Sequence, residues 1–137
     1  MNGTLETPIA DGQSPGLAEA VIRQWTWKTP AMREMTLRVC CLALARGAGE
    51  FSANDLPEFA HGGGGIAGAV FNRLARDGVL SPVGIFAVGV FVQKFVKNPG
   101  GNRIGVWRLK NGALARRALE LHGAERAEKW AQGELIA

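Results

Sequence analysis

The chain has 137 residues, 47% of them hydrophobic and 20% charged, with a formal net charge of +4. That is enough apolar material for a single domain with a sizeable core, and too much for a disordered segment. The longest apolar runs, Cys40–Ala45 and Ile85–Val92, are too short to span a bilayer, and no secretory signal pattern precedes them.

Met1–Ser14 is rich in Gly, Thr, Pro and Asp without periodicity and reads as a flexible tail (1–14) before a single domain over 15–137. Pro15–Lys28 reads as a first helix, with Ser14 as its N-cap and Leu17, Val21, Ile22 and Trp25 on its apolar side. Thr29-Pro30 breaks the chain. Ala31–Arg46 is the next helix, closed by Gly47 and apolar on two sides, so it must be covered twice. The second cover falls to a terminal helix or to a second subunit. Cys40 and Cys41 lie inside this helix; their adjacency suits neither a disulfide framework nor a metal site, and buried thiols in a reducing cytoplasm are the expectation.

Gly49–Phe51 predicts a short strand, and Ser52-Ala-Asn-Asp55 an acidic capping box opening a brief helix toward Ala60. His61–Gly65 is then a turn. Ile66–Asp77 is a helix whose stripe is Ala67, Val70, Phe71 and Leu74, stopped at Gly78, with Arg73 and Arg76 off the stripe and facing outward. Val79-Leu80 begins a strand, and Ser81–Gly84 is a turn or bulge. Ile85–Lys97, rich in Val and Phe, predicts a strand buried for most of its length. Asn98-Pro-Gly-Gly-Asn102 marks a hairpin loop. Arg103–Lys110 returns with Ile104, Val106 and Arg108 on one face and Trp107 and Leu109 on the other. Asn111 caps a helix over Gly112–Leu121, and a further stripe at Ala124, Ala127, Ala131 and Leu135 predicts a second terminal helix.

Charge is unevenly placed. From His61 to Arg117 nine basic residues face the single acid Asp77, a net +8, so the remainder of the chain sums to −4. Such a basic segment on a mildly acidic frame suits a polyanion. A solvated basic face without a partner is the plain alternative.

The order of elements over 31–110, and FNRLARDGVL at 71–80 in particular, resembles the winged helix-turn-helix of bacterial regulators of the MarR type. The resemblance implies an α+β, mainly helical fold: a winged helix-turn-helix core with additional N- and C-terminal helices. It further implies double-stranded DNA as the partner, with helix 66–77 in the major groove and loop 98–102 beside a phosphate or the minor groove. The sequence departs from the pattern in two places. The first half of the helix presents Gly65, Ile66, Gly68 and Ala69, none of which can bond a base edge; and Gly78–Asn98 is long enough for a tall wing or an extra hairpin.

Gly63, Gly65 and Gly68 spell GxGxxG, but helical residues precede them where a dinucleotide fingerprint needs a strand, and no acid follows at the right distance. No cofactor is expected. The small residues at Gly65 and Gly68 would instead let a backbone approach a phosphate, or simply form a turn. His61 and His122 are the only histidines, with no metal spacing or nucleophile motif around them, so no catalytic residues and no metal site are assigned. Trp25, Trp27 and Trp130 are expected to pack or dimerise through the terminal helices.

Two functions follow as expectations. One is a cytoplasmic, homodimeric DNA-binding protein, a transcriptional regulator or mobile-element protein. Its phosphate contacts would come from Arg73, Arg76, Lys94, Lys97, Arg103 and Arg108, its close approach from Gly65 and Gly68, and its base reading from Asn72. The other is a winged-helix module whose groove takes a protein partner without DNA.

Overall fold

The computed structural model describes residues 15–56, 64–97, 99–101 and 103–123. The expected tail, His61, Trp130 and the second terminal helix lie outside them. The fold is α+β, with four helices and small antiparallel sheets.

Helix α1 is Pro15–Arg23, shorter than expected, and the chain from Trp25 to Lys28 continues without helix. The Thr29-Pro30 step keeps Thr29 extended and so prevents α1 from running on into the next helix. Thr29 is extended and its Oγ1 accepts from the Met32 amide at 3.2 Å, which starts α2, Pro30–Arg46. Gly47, at φ 59°, ends it. Every residue from Met35 to Ala43 is buried, as the two-sided apolar pattern requires. Helix α4, Gly112–His122, is one of its two covers and also packs against α1. The Asn111 side chain accepts from the Leu114 amide at 3.1 Å and sets where α4 begins.

On the other side of α2 lies α3, Gly64–Arg76. Its end is a Schellman turn: the Gly78 amide donates to the Ala75 carbonyl and the Val79 amide to the Leu74 carbonyl, at 3.2 and 2.9 Å. Gly78 has φ 88°, and Leu74 and Val79 are both fully buried, the hydrophobic contact that accompanies this motif. Strands β1, Glu50–Phe51, β2, Leu80–Pro82, and β7, Trp107–Leu109, form a three-stranded antiparallel sheet in the order β1-β7-β2. Between β1 and α3 the Ser52–Asp55 capping box forms as expected, around a single 3-10 turn at Ala53–Asp55. Phe71 of α3 stacks on Trp107 at 5.7 Å and packs against Phe51 at 6.3 Å, joining helix to sheet. Arg108, the next residue along β7, therefore lies on the opposite face, across from Glu50 and Ser81.

The stretch 85–97 differs most from the expected buried strand, although the extra hairpin that its length allowed is present. It is not a buried strand but three short ones: β3, Gly84–Ala87, β4, Val90–Gln93, and β5, Phe95–Lys97. Val88 and Gly89 both take positive φ, 53° and 76°, and make the two-residue hairpin turn between β3 and β4. Their side chains are mostly exposed. Strand β5 turns back through the 98–102 loop onto β6, Arg103–Gly105. The expected alternation along 103–110 also breaks: Val106 and Trp107 are buried in succession. Val106 sits at a junction where the Val83 amide donates to its carbonyl (2.9 Å), its own amide to Lys94 (3.0 Å), and the Lys94 amide to Val83 (2.7 Å). From that junction the β3–β4 hairpin, the β5–β6 hairpin and the main sheet diverge.

Candidate nucleic-acid interface

Helix α3 buries Val70, Phe71 and Leu74, and its remaining surface is the starting point for a site. Gly68, Ala69, Asn72 and Arg76 are exposed along one edge, at the i, i+4 spacing that brings residues to one side of a helix. Gly65 belongs to the first turn of α3. A Cβ built on Gly68 would meet nothing within 4 Å. Internal packing therefore does not demand glycine at that position. The Asn72 side chain makes no hydrogen bond or ion pair among the described residues.

Two depressions flank this edge. A cleft of about 280 Å³ lies between α3 and the β5–β6 hairpin, lined by Gly68, Asn72, Gln93, Phe95 and Arg103 among others. Arg103 stacks over the Phe95 ring at 4.7 Å, which holds the guanidinium at the cleft wall. A groove of about 570 Å³ runs along the other side of α3, lined by Trp27, Lys28, Ile66, Ala69, Arg73 and Arg76. Lys28 was not anticipated. Its only signal was its place at the end of Trp25-Thr-Trp-Lys28, directly before the Thr-Pro break.

Arg73 does not face outward as the helical stripe predicted. Its guanidinium lies 5.1 Å from the Trp25 ring and 5.6 Å from the Trp27 ring, and its Nη1 donates to the Thr26 carbonyl at 2.7 Å. Burial pulls its pKa below the usual arginine value, against the opposing pull of Asp77. Its Nε is buried without a hydrogen-bond acceptor, and the nearest Asp77 oxygen is 3.9 Å away. Asp77 itself is only 8% exposed; it accepts from Trp25 Nε1 at 2.7 Å and from Arg76 Nε at 3.3 Å. Arg76, 72% exposed, keeps most of its surface open to solvent. Trp25 is stacked on His122 at 5.9 Å, and Trp27 meets the same imidazole edge-on at 5.0 Å while donating to Thr36 Oγ1. His122 bonds the Ile22 carbonyl at 2.7 Å, and Arg33 donates to the His122 carbonyl. The tryptophans thus strap the end of α3 to α4, a packing role, as expected for residues outside the core motif.

The remaining cations separate into two groups. Lys97 and Arg103 stand directly opposite each other across β5 and β6, beside the loop. Like charges facing across a strand pair repel, and no ion pair to either side chain is present among the described residues. Lys94 instead pairs with Glu50 at 2.9 Å, and Arg108 stands opposite Glu50 in the sheet register. Both lie on the sheet face turned away from α3. The structure therefore brings Gly68, Asn72, Arg76 and Arg103 together around the exposed edge of α3, with Lys97 across from Arg103. It does not bring Lys94 or Arg108 there, and it ties Arg73 to the tryptophans.

Elsewhere, Cys40 and Cys41 are free thiols, and burial pushes them up to about 12 and about 11. Glu120 pairs with Arg117 at 2.9 Å, a surface contact of the helix. Among the described residues no group of three or more His, Cys, Asp or Glu gathers to hold a metal, and no helix is long and apolar enough to cross a membrane. Comparison of the chain with protein families, curated proteins and solved structures gives no match.

Proposed function

We propose that the chain is a winged helix-turn-helix protein that binds double-stranded DNA mainly through its phosphates. The element order and the β1-β7-β2 sheet against α2 and α3 support the fold assignment. The observation that carries the function is the bare edge of α3: small residues and Asn72 lie between exposed cations, Arg76 and Lys28 on one side and Arg103 with Lys97 on the other.

In this reading α3 enters the major groove with Gly68 and Ala69 against the backbone, where a side chain would hold the helix away. Asn72 is the one base reader, suited to adenine. Arg76, Lys28, Arg103 and Lys97 neutralise phosphates, and the 98–102 loop is the wing. Arg73, Lys94 and Arg108 contribute charge without direct contact. Transcriptional regulation or service to a mobile element is the corresponding role.

The test is fluorescence anisotropy with a labelled duplex at low ionic strength. Replacing both Arg76 and Arg103 by Ala should weaken binding at least tenfold, whereas Arg108→Ala should change it less than threefold. Equal losses from all three residues would refute the assignment of the α3 face. A second reading, a winged-helix module that binds protein and not DNA, is favoured by the apolar β3–β4 hairpin; it predicts no duplex binding at any salt concentration.

A further inference from the structure

The β3–β4 hairpin breaks the usual rules for a protein surface. Ile85 is 69% exposed, Phe86 75%, Val88 fully exposed and Val90 63%, with Phe91 and Val92 also open. Both faces are apolar. Ile85 and Ala87 stand across from Val92 and Val90 on one, and Phe86 meets Phe91 edge-on at 5.5 Å on the other. The six large residues leave on the order of 700 Å² uncovered over the two faces and the turn, above the roughly 300–600 Å² of the largest apolar patch on a typical monomer. An interface of standard size buries roughly 800 Å² on each partner, and one face of the hairpin with its turn would supply about half of that.

The backbone points the same way. Strands β3 and β4 form a sheet of two, so among the described residues each keeps an unpaired edge. An isolated two-stranded hairpin is marginal in water and gains stability from a third strand or a packed face. Val88 at φ 53° adds strain, because a β-branched residue rarely adopts that conformation.

We infer that this hairpin is a homodimer interface: it packs against the same hairpin of a second copy. From Gly84 to Gln93 there is no charged residue, so two copies can meet without like-charge repulsion. Pairing of identical strands about a two-fold axis is antiparallel and satisfies one open edge of each copy. A bilayer fits less well, because an open strand edge inside hydrocarbon would leave its amides and carbonyls unpaired. DNA fits less well too, since the hairpin brings no cation to a phosphate.

Sedimentation equilibrium of the full chain without DNA, from 1 to 100 µM, tests this. The parent should be a dimer in the upper part of that range. Replacing Ile85 and Val92 together by Thr, which keeps strand propensity, should raise the dissociation constant at least tenfold with an unchanged circular-dichroism spectrum. Should that variant fold poorly, Val90→Lys provides the same test at a single exposed position. A parent that stays monomeric throughout overturns the inference. So does a dimer that both variants leave intact, which would put the interface on the terminal helices. Flotation of a monomeric parent with vesicles containing phosphatidylserine, lost in the Thr variant, would equally overturn it by showing that lipid is what covers the patch.

Discussion

Asp77 is the one acid of the basic segment, and replacing it by Asn separates its structural role from its electrostatic one. The carboxylate is 8% exposed and accepts from Trp25 Nε1 at 2.7 Å, with Arg76 at 3.3 Å and Arg73 at 3.9 Å. A hydrogen bond to a charged group contributes about 1.5–3 kcal/mol. The pair with solvent-exposed Arg76 adds well under about 1 kcal/mol. The amide retains a carbonyl for Trp25 but loses the charge that faces two guanidinium groups. Asp77→Asn should therefore cost about 2 kcal/mol, which lowers the melting temperature of a domain this size by roughly 8 °C. Circular-dichroism melts measure it. A Trp25→Phe variant removes the other end of the bond, so the double variant should lose about 1 kcal/mol less than the two single losses together. The same change frees Arg76 and removes a negative charge beside α3, so duplex binding should tighten by a few-fold despite the lower stability. A melting temperature within about 1 °C of the parent, a shift too small for a buried charge-assisted bond, would refute the view that Asp77 anchors the tryptophan strap.

Three further outcomes follow. The folded state holds the Cys40 and Cys41 thiols neutral, with values pushed up to about 12 and about 11, whereas an unfolded thiol ionises near pH 8.5–9. Their contribution is therefore full below about pH 8.5 and is lost as pH rises toward 11–12, at up to about 1.4 kcal/mol per pH unit for each thiol. Urea melts between pH 8 and 10.5 should show this slope, and Cys40→Ala should reduce it by about half. Gly68→Ala meets open space and should stabilise α3 by up to about 1 kcal/mol, yet weaken duplex binding several-fold; tighter or unchanged binding would remove the close-approach argument. Gly84→Ala would put its Cβ 2.2 Å from the Val92 carbonyl oxygen, so it should disrupt the β3–β4 hairpin and, with it, self-association in sedimentation.

Local signals in the sequence were sufficient where local chemistry decides the structure. The Thr29-Pro30 break, the Asn111 cap, the Ser52–Asp55 capping box and the glycine stop at Gly78 each act within a few residues, and each is present. The two-sided apolar pattern of α2 likewise implied two covers, and α4 supplies one of them. What stayed hidden depends on contacts distant in sequence. Nothing near Trp25 announces a bond to Asp77, and nothing near Arg73 announces two tryptophan faces, so a helical stripe alone placed that arginine in solvent. The 85–97 stretch was misread for a different reason. Burial was inferred from apolar composition, and its Val88-Gly89 turn lacks the Asn or Asp that usually marks such a hairpin. Of the candidate site, α3 and the cations Lys97 and Arg103 beside the 98–102 loop were legible. The separation of Lys94 and Arg108 from them was not, because it turns on the distant Lys94–Glu50 pair and on which face of β7 packs against α3.

The central claim is that phosphate contact by a small set of cations around α3 dominates binding. Each neutralised phosphate lowers log K by about 0.9 per decade of salt. Contacts from Lys28, Arg76, Lys97 and Arg103 then predict a slope near −3.6 for a generic duplex, or roughly a 150-fold loss of affinity from 50 to 200 mM salt. Anisotropy titrations of the parent chain across that range measure the slope directly. A value between about −3 and −4.5, whatever the duplex sequence, is the expected result. A slope near zero, or no binding at 50 mM salt, would contradict the account.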